Sequence, residues 1–407
     1  MTKLLLPRLG RRLVVASAVV ATAAGLSVAV AAPARADDSA TPAAVWSGLD
    51  ARDYSGPIGA PGTLLTKTAL DPSIGLSSAG SAYRVLYATT DFNDRPAVST
   101  AAIFLPKKAA PKNGYKVIAW AHGTTGLGDG CTPSALPRSD RDTAYLNHWL
   151  DQGYAVVGTD YVGLGTPGLM NYLSSKVQAH SIVDSVKAAS HTGLPLSKTW
   201  AIVGQSQGAS AALNGARWAT AYSRGSGLDY RGVVSTGTPA NIEHIVMQAG
   251  PGFPPVALPA GLNTYAAYIW AGFADARPDL KPMSILTREG RRIVAAAQTK
   301  CYAEMHSMVE GAKVRDWFSK PVSSIPGVQG ALVNYMSTPY RGYDRPIFMG
   351  QGLVDTDVPA PSALSLYAQM VANGQPVEMH VYPTKDHSGT VLASMKDSTP
   401  FLARIMR

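Results

Sequence analysis

The stretch that decides the fold is Trp200-Ala201-Ile202-Val203-Gly204-Gln205-Ser206-Gln207-Gly208-Ala209-Ser210-Ala211. An apolar run reaches Gly204, a serine stands at Ser206, and Gly208 opens a stretch of small residues with helical character. The G-x-S-x-G spacing suits a strand that turns so sharply into a helix that the central serine is strained. Glycines two residues before and two after it let neighbouring chain pass close by. Its hydroxyl then stands at the carboxyl edge of a sheet, over a helix N-terminus. Five letters recur by chance in a chain with 39 glycines, so context has to decide. Leu196 to Val203 offers turn residues and then a buried β-run, and 207–222 reads as a helix carrying Leu213, Trp218 and Tyr222 among alanines. Strand, serine, helix is the expected order, and Ser206 is the candidate nucleophile.

Outward from this point the chain alternates. Residues 82–90 and 97–105 flank the turn cluster Asp91-Phe92-Asn93-Asp94-Arg95-Pro96 and read as an antiparallel hairpin. Strands are expected at 115–121, 153–160, 230–236, 345–350 and 377–382, and helices at 143–152, 174–191 and 361–373. Antiparallel strands followed by alternating strand and helix predict an α/β fold, a mostly parallel sheet covered on both faces. The alternation fails between Pro239 and Asp344. That stretch holds Pro251-Gly252-Phe253-Pro254-Pro255, the apolar run 265–273 and helical segments around 284–310, too much for an unstructured loop. It is expected to be a largely helical cap inserted into the fold, giving core residues 37–238, cap 239–344 and core 345–407; the alternative makes it part of the main core.

Residues 1–36 read as a signal peptide. Lys3, Arg8, Arg11 and Arg12 form a basic head, 13–32 is almost wholly apolar, and Ala34-Arg35-Ala36 is an A-x-A cleavage site before Asp37-Asp38. An uncleaved anchor is the alternative, and Arg11-Arg12 leaves a twin-arginine route open. Without the leader's five basic residues the net charge of +9 falls to near +4. With no basic cluster and no aromatic interleaving, nucleic acid is a poor partner. Two cysteines in an exported chain, Cys131 and Cys301, point to one disulfide. Neither has metal-ligand company, so no metal site is expected.

A serine needs an adjacent base, itself oriented by a third group, and this geometry supplies them in chain order serine, acid, histidine. His387, in Lys385-Asp386-His387-Ser388-Gly389, follows the last strand by a short turn and precedes a helix. His380 falls inside that strand, and His244 and His306 fall in or beside the inserted stretch. Asp355, in Gln351-Gly352-Leu353-Val354-Asp355-Thr356-Asp357-Val358-Pro359, lies just past a strand end. Asp357 is the alternative acid, with helix capping near Pro359 as its other role. Asp160 precedes the serine and is expected to be structural. For the oxyanion, the expected donors are the N–H groups of Gln207 and Thr124, with His122 bonding within its own loop.

His122-Gly123, 204–208, 352–359 and Asp386-His387 together resemble an α/β-hydrolase over most of the mature chain. More narrowly, His122-Gly123-Thr124-Thr125-Gly126, Cys131-Thr132-Pro133-Ser134 and the strand 153–161 resemble the secretory lipase family of yeasts and actinobacteria. The resemblance implies hydrolysis of carboxylic esters, including acylglycerols, through a Ser-Asp-His triad with no cofactor. The chain departs from that pattern in having Ala209 where a further glycine often stands. A serine peptidase or cell-wall acyltransferase on the same fold is the alternative, and a non-catalytic binding protein a remote one. The apolar residues 253–273 would line an acyl tunnel, face a lipid surface or form the cap's own core.

Overall fold

The computed structural model describes residues 41–407; the leader and its cleavage site lie outside the described residues. The chain opens with three antiparallel strands, β1 (Leu64–Ala69), β2 (Ala79–Thr90) and β3 (Pro96–Pro106). Next come β4 (Tyr115–Ala121), α1 (Asp140–Asp151), β5 (Ala155–Thr159), α2 (Ser175–Ala189), β6 (Leu196–Gln205), α3 (Gln207–Tyr222) and β7 (Asp229–Thr236). Five helices precede the next strand: α4 (Ile242–Val246), α5 (Ala260–Ala276), α6 (Arg288–Ala297), α7 (Tyr302–Met308) and α8 (Val328–Met336). The chain closes with β8 (Ile347–Gly352), α9 (Ala360–Ala372), β9 (Val377–Tyr382) and α10 (His387–Ile405).

The nine strands of the described residues join one sheet in the order β1-β2-β3-β5-β4-β6-β7-β8-β9. From β5 to β9 every pairing is parallel. Period-two alternation sorts the side chains of β4 onto two cores. Val117, Ala119 and Ala121 face α2, α3 and the helices after β7, while Ile118 and Trp120 face Tyr145 and Trp149 of α1 and Phe401 and Leu402 of α10. Both faces are covered, so these strands read as unbroken apolar runs. The chain runs from β4 outward to β5 and then back across β4 to β6. This reversal opens a crevice at the carboxyl ends of β4 and β6, where Ala121 pairs with Gly204.

Three expectations change in detail. The first helix starts at Asp140 rather than 143, because Ser139 accepts a hydrogen bond from the Asp142 N–H (3.2 Å) and two aspartates in the first turn suit the helix N-terminus. β1 was not expected. It is an edge strand whose register shifts between Leu64 and Thr66, and a bulge there breaks the alternation that would announce a strand. His387 does not precede a helix but begins α10, behind Asp386, whose carboxylate accepts from the Gly389 N–H at 2.7 Å.

In the stretch between β7 and β8, Tyr268, Trp270 and Phe273 of α5 are buried, against Tyr172, Phe318 and Tyr335 respectively. They form the core of that stretch, continuous with the core on that face of the sheet. Cys131 and Cys301 are bonded, with Cα atoms 5.4 Å apart. Beside them the Tyr302 N–H donates to Thr125 O at 2.9 Å, so the start of α7 is fastened to the loop after β4. Closing a loop of 170 residues stabilises by up to about 5 kcal/mol in the chain-entropy treatment.

Candidate active site

The turn between β6 and α3 is as sharp as its sequence demands. Ser206 has φ +58° and ψ −126°, a conformation that costs a non-glycine residue about 1–3 kcal/mol. It persists because the surroundings leave no alternative. The Ser206 N–H donates to Thr236 O on β7 at 3.0 Å, and α3 packs directly on the sheet edge. A Cβ on Gly208 would lie 1.9 Å from Ala121 O, and one on Gly204 would lie 2.0 Å from Gly208 O. Only glycines allow the helix, the strand and the loop after β4 to meet so closely. The first N–H groups of α3 have no carbonyl one turn behind them, so the helix end offers donors beside the serine. Ser206 itself is 7% exposed.

His387 and Asp355 meet beside this turn. His387 Nδ1 lies 2.7 Å from Asp355 Oδ2, and both residues are buried. The carboxylate is supported from its other side: Oδ1 accepts from the N–H groups of Asp357 (3.0 Å) and Val358 (2.8 Å). These donors replace the water that a buried carboxylate has lost. With the Nδ1 proton given to Asp355, the neutral ring carries its lone pair on Nε2, the nitrogen a general base uses. Gly237 closes the pocket behind the imidazole, since a Cβ there would stand 2.8 Å from His387 Cε1.

Asp357 does not cap the following helix. That helix begins behind Pro359 with no side-chain cap, and Asp357 Oδ1 instead accepts from the Tyr265 hydroxyl of α5 at 2.9 Å. Tyr265 is also 3.3 Å from the Tyr302 hydroxyl. Asp355, Asp357 and His387 offer possible ligand atoms within 4.8 Å of one another, while Asp355 Oδ2 lies against His387 Nδ1 and Asp357 Oδ1 accepts from Tyr265.

The other candidates fall as follows. Thr124 sits in the loop after β4, its hydroxyl 2.6 Å from that of Tyr172, and Gln207 is the first residue of α3. His122 is buried, with Nδ1 2.6 Å from Gly123 O, and burial pushes its pKa down. Asp160 holds structure: it accepts from Thr100 Oγ1 (2.6 Å) and the Ser134 N–H (2.8 Å), while Ser134 also receives the buried Arg84. His380, in β9, stacks on Phe348 of β8, and His244 and His306 belong to α4 and α7. Sequence reasoning missed Gln205, whose amide nitrogen lies 2.9 Å from His387 Nε2. It also missed Gly237, and it read Tyr265 only as one of the apolar residues 253–273 and not as a partner of Asp357, because nothing local in the sequence announces partners so far along the chain.

Residues 138–402, about two thirds of the chain, match the secretory lipase family. Lipase A of Moesziomyces aphidis is 24% identical over 349 residues, covering 81% of this chain and 72% of the relative. Candida antarctica lipase A in its closed state has the same fold, with a TM-score of 0.69 at 19% identity over 85% of this chain and 82% of that one. So does the rice cell wall degrading esterase LipA from Xanthomonas oryzae, with a TM-score of 0.68 at 18% identity over 86% and 99%. Sheet order, the turn at Ser206 and the family match over most of the sheet agree: the chain belongs to the secretory lipase family, carboxylic ester hydrolases of the α/β-hydrolase fold.

Proposed function

We propose that the protein is an exported lipase or esterase that cleaves acyl esters, acylglycerols among them, through Ser206, His387 and Asp355. The observation that carries this is the 2.7 Å bond from His387 Nδ1 to Asp355 at the sheet edge that also holds the strained Ser206. Ser206 Oγ attacks the ester carbonyl while His387 Nε2 takes its proton; Asp355 keeps the ring in the right tautomer and stabilises the imidazolium. The N–H groups of Gln207 and Thr124 receive the negative charge that develops on the carbonyl oxygen. The alcohol leaves with the proton from His387, and water, activated by the same ring, releases the acid and restores Ser206.

Residues 239–344 act as a cap in this account. Tyr265 on α5 bonds Asp357, two residues from the acid, and Ser206 is almost covered, so an ester enters once that contact opens. Exposed apolar side chains favour a lipid surface as the place of opening: Leu353 (46%) and Val354 (52%) beside the acid, and Val256 (51%) on the cap. Export through cleavage after Ala36 fits the leader's basic head and apolar run.

The test is hydrolysis of p-nitrophenyl esters from acetate to palmitate, with Ser206→Ala alongside. Turnover of long chains that disappears in Ser206→Ala supports the lipase reading, and turnover confined to short chains reduces it to a general esterase. Ester turnover that survives in Ser206→Ala refutes the mechanism.

A further inference from the structure

The nitrogen that must accept the Ser206 proton is already occupied. His387 Nε2 lies 2.9 Å from Gln205 Nε2, on the residue immediately before the serine. A neutral ring with its proton on Nδ1, toward Asp355, has only a lone pair at Nε2, so the amide must present its NH2 group. The opposite amide orientation would set two acceptors face to face. Gln205 is 1% exposed, and its Oε1 is buried with no hydrogen-bond partner. That oxygen rests against the loop after β4, where a Cβ on Gly123 would lie 2.5 Å away. The glycine of His122-Gly123 thereby makes room for the Gln205 amide. Ser206 Oγ makes no hydrogen bond among the described residues.

We infer that Gln205 masks the proton-accepting lone pair of His387 in the resting enzyme, so that its amide must leave before Ser206 is activated. This rests on the roles proposed for Ser206, His387 and Asp355. Asp355 already fixes the ring through Nδ1, so the Gln205 bond is not needed to orient the base. It competes with the Ser206 hydroxyl for one lone pair. The orphaned Oε1 weakens the resting arrangement, since a buried acceptor without a partner is costly. Any movement that lets Oε1 reach a donor therefore helps release Nε2. The charged and titratable groups around the ring are Asp355 on Nδ1, Asp357 within 4.8 Å, Asp386, whose carboxylate is turned onto the Gly389 N–H, and Lys385 before it.

The experiment is the pH profile of kcat/KM for p-nitrophenyl acetate in wild type, Gln205→Met and Gln205→Glu, with Ser206→Ala as background and a thermal melt to confirm folding. Gln205→Met removes the competing donor and should raise the plateau about 2- to 10-fold, the worth of one neutral hydrogen bond. Gln205→Glu sets a carboxylate on Nε2, favours the imidazolium and should move the acidic limb up by about one pH unit or more. A merely structural glutamine would move neither. Folded variants whose plateau and acidic limb both match wild type overturn the inference while leaving Ser206-dependent turnover intact. If Gln205→Glu does not fold, the Gln205→Met plateau decides. Absence of Ser206-dependent turnover in wild type removes the triad itself, and the role of Gln205 with it.

Discussion

Gly208→Ala is the most exacting perturbation the elbow offers. A Cβ at 208 would stand 1.9 Å from Ala121 O and 2.6 Å from His122 O, both backbone atoms at the end of β4. Such an atom essentially never comes closer than 3.0 Å, so α3 and the loop after β4 must part by about 1.1 Å. Neither side yields easily: α3 is buried along most of its length and Ala121 is hydrogen-bonded between β5 and β6. Overpacking of this kind costs about 1–3 kcal/mol of stability. The catalytic loss should be larger. The proposed oxyanion donors lie on opposite sides of the contact, Gln207 on α3 and Thr124 on the loop, and useful donors sit within a few tenths of an ångström of their target. A displacement of about 1 Å should lower kcat by about 100-fold or more. The assay is steady-state hydrolysis of p-nitrophenyl butyrate with a thermal melt. Gly330→Ala is the control, because Gly330 is exposed in α8 with nothing within 4 Å of its Cβ position. It should gain about 0.5–1 kcal/mol of stability and leave kcat unchanged. A Gly208→Ala enzyme with the wild-type kcat and melting temperature would refute the close-packed elbow and the donor geometry built on it.

Asp355→Asn should lower kcat about 10³- to 10⁴-fold with little change in melting temperature, because an amide no longer holds the Nδ1–H tautomer. Asp357→Asn keeps an acceptor for Tyr265 and should cost less than about 10-fold, as the same kinetics will show. Glu243 carries a buried Oε2 without a hydrogen-bond partner, and burial raises its pKa above the ordinary 4.5. A raised carboxyl contributes its stability below the unfolded value and loses it as pH rises through the folded one. Glu243→Gln should therefore raise the melting temperature at about pH 8, with the gain fading by about pH 4; scanning calorimetry across that range checks the sign. Replacing Cys131 and Cys301 together by serine should cost about 2–5 kcal/mol in denaturant unfolding.

The fold was legible where burial leaves a periodic or unbroken apolar mark. The bounds 115–121, 207–222 and 377–382 are those of β4, α3 and β9. It was illegible at β1, where a bulge and a half-exposed edge remove the alternation. Ser206 and His387 carry side-chain signals at fixed places relative to strands. The preference for Asp355 over Asp357 rests in the sequence on helix capping alone; the turn whose N–H groups at 357 and 358 both point at Asp355 Oδ1, the feature that favours the proposed acid, leaves no such mark. Gln205 and Gly237 become partners of His387 only when strands far apart in sequence lie side by side. A backbone donor such as the one proposed at Thr124 leaves no mark of residue type at all.

The most direct measurement is mass spectrometry of the protein after treatment with an alkyl fluorophosphonate, which traps an activated serine. The mechanism predicts one adduct per chain on the peptide that contains Ser206, absent in Ser206→Ala and slowed in Asp355→Asn. An adduct on any other serine, or equally fast labelling of Ser206 in Asp355→Asn, would contradict it.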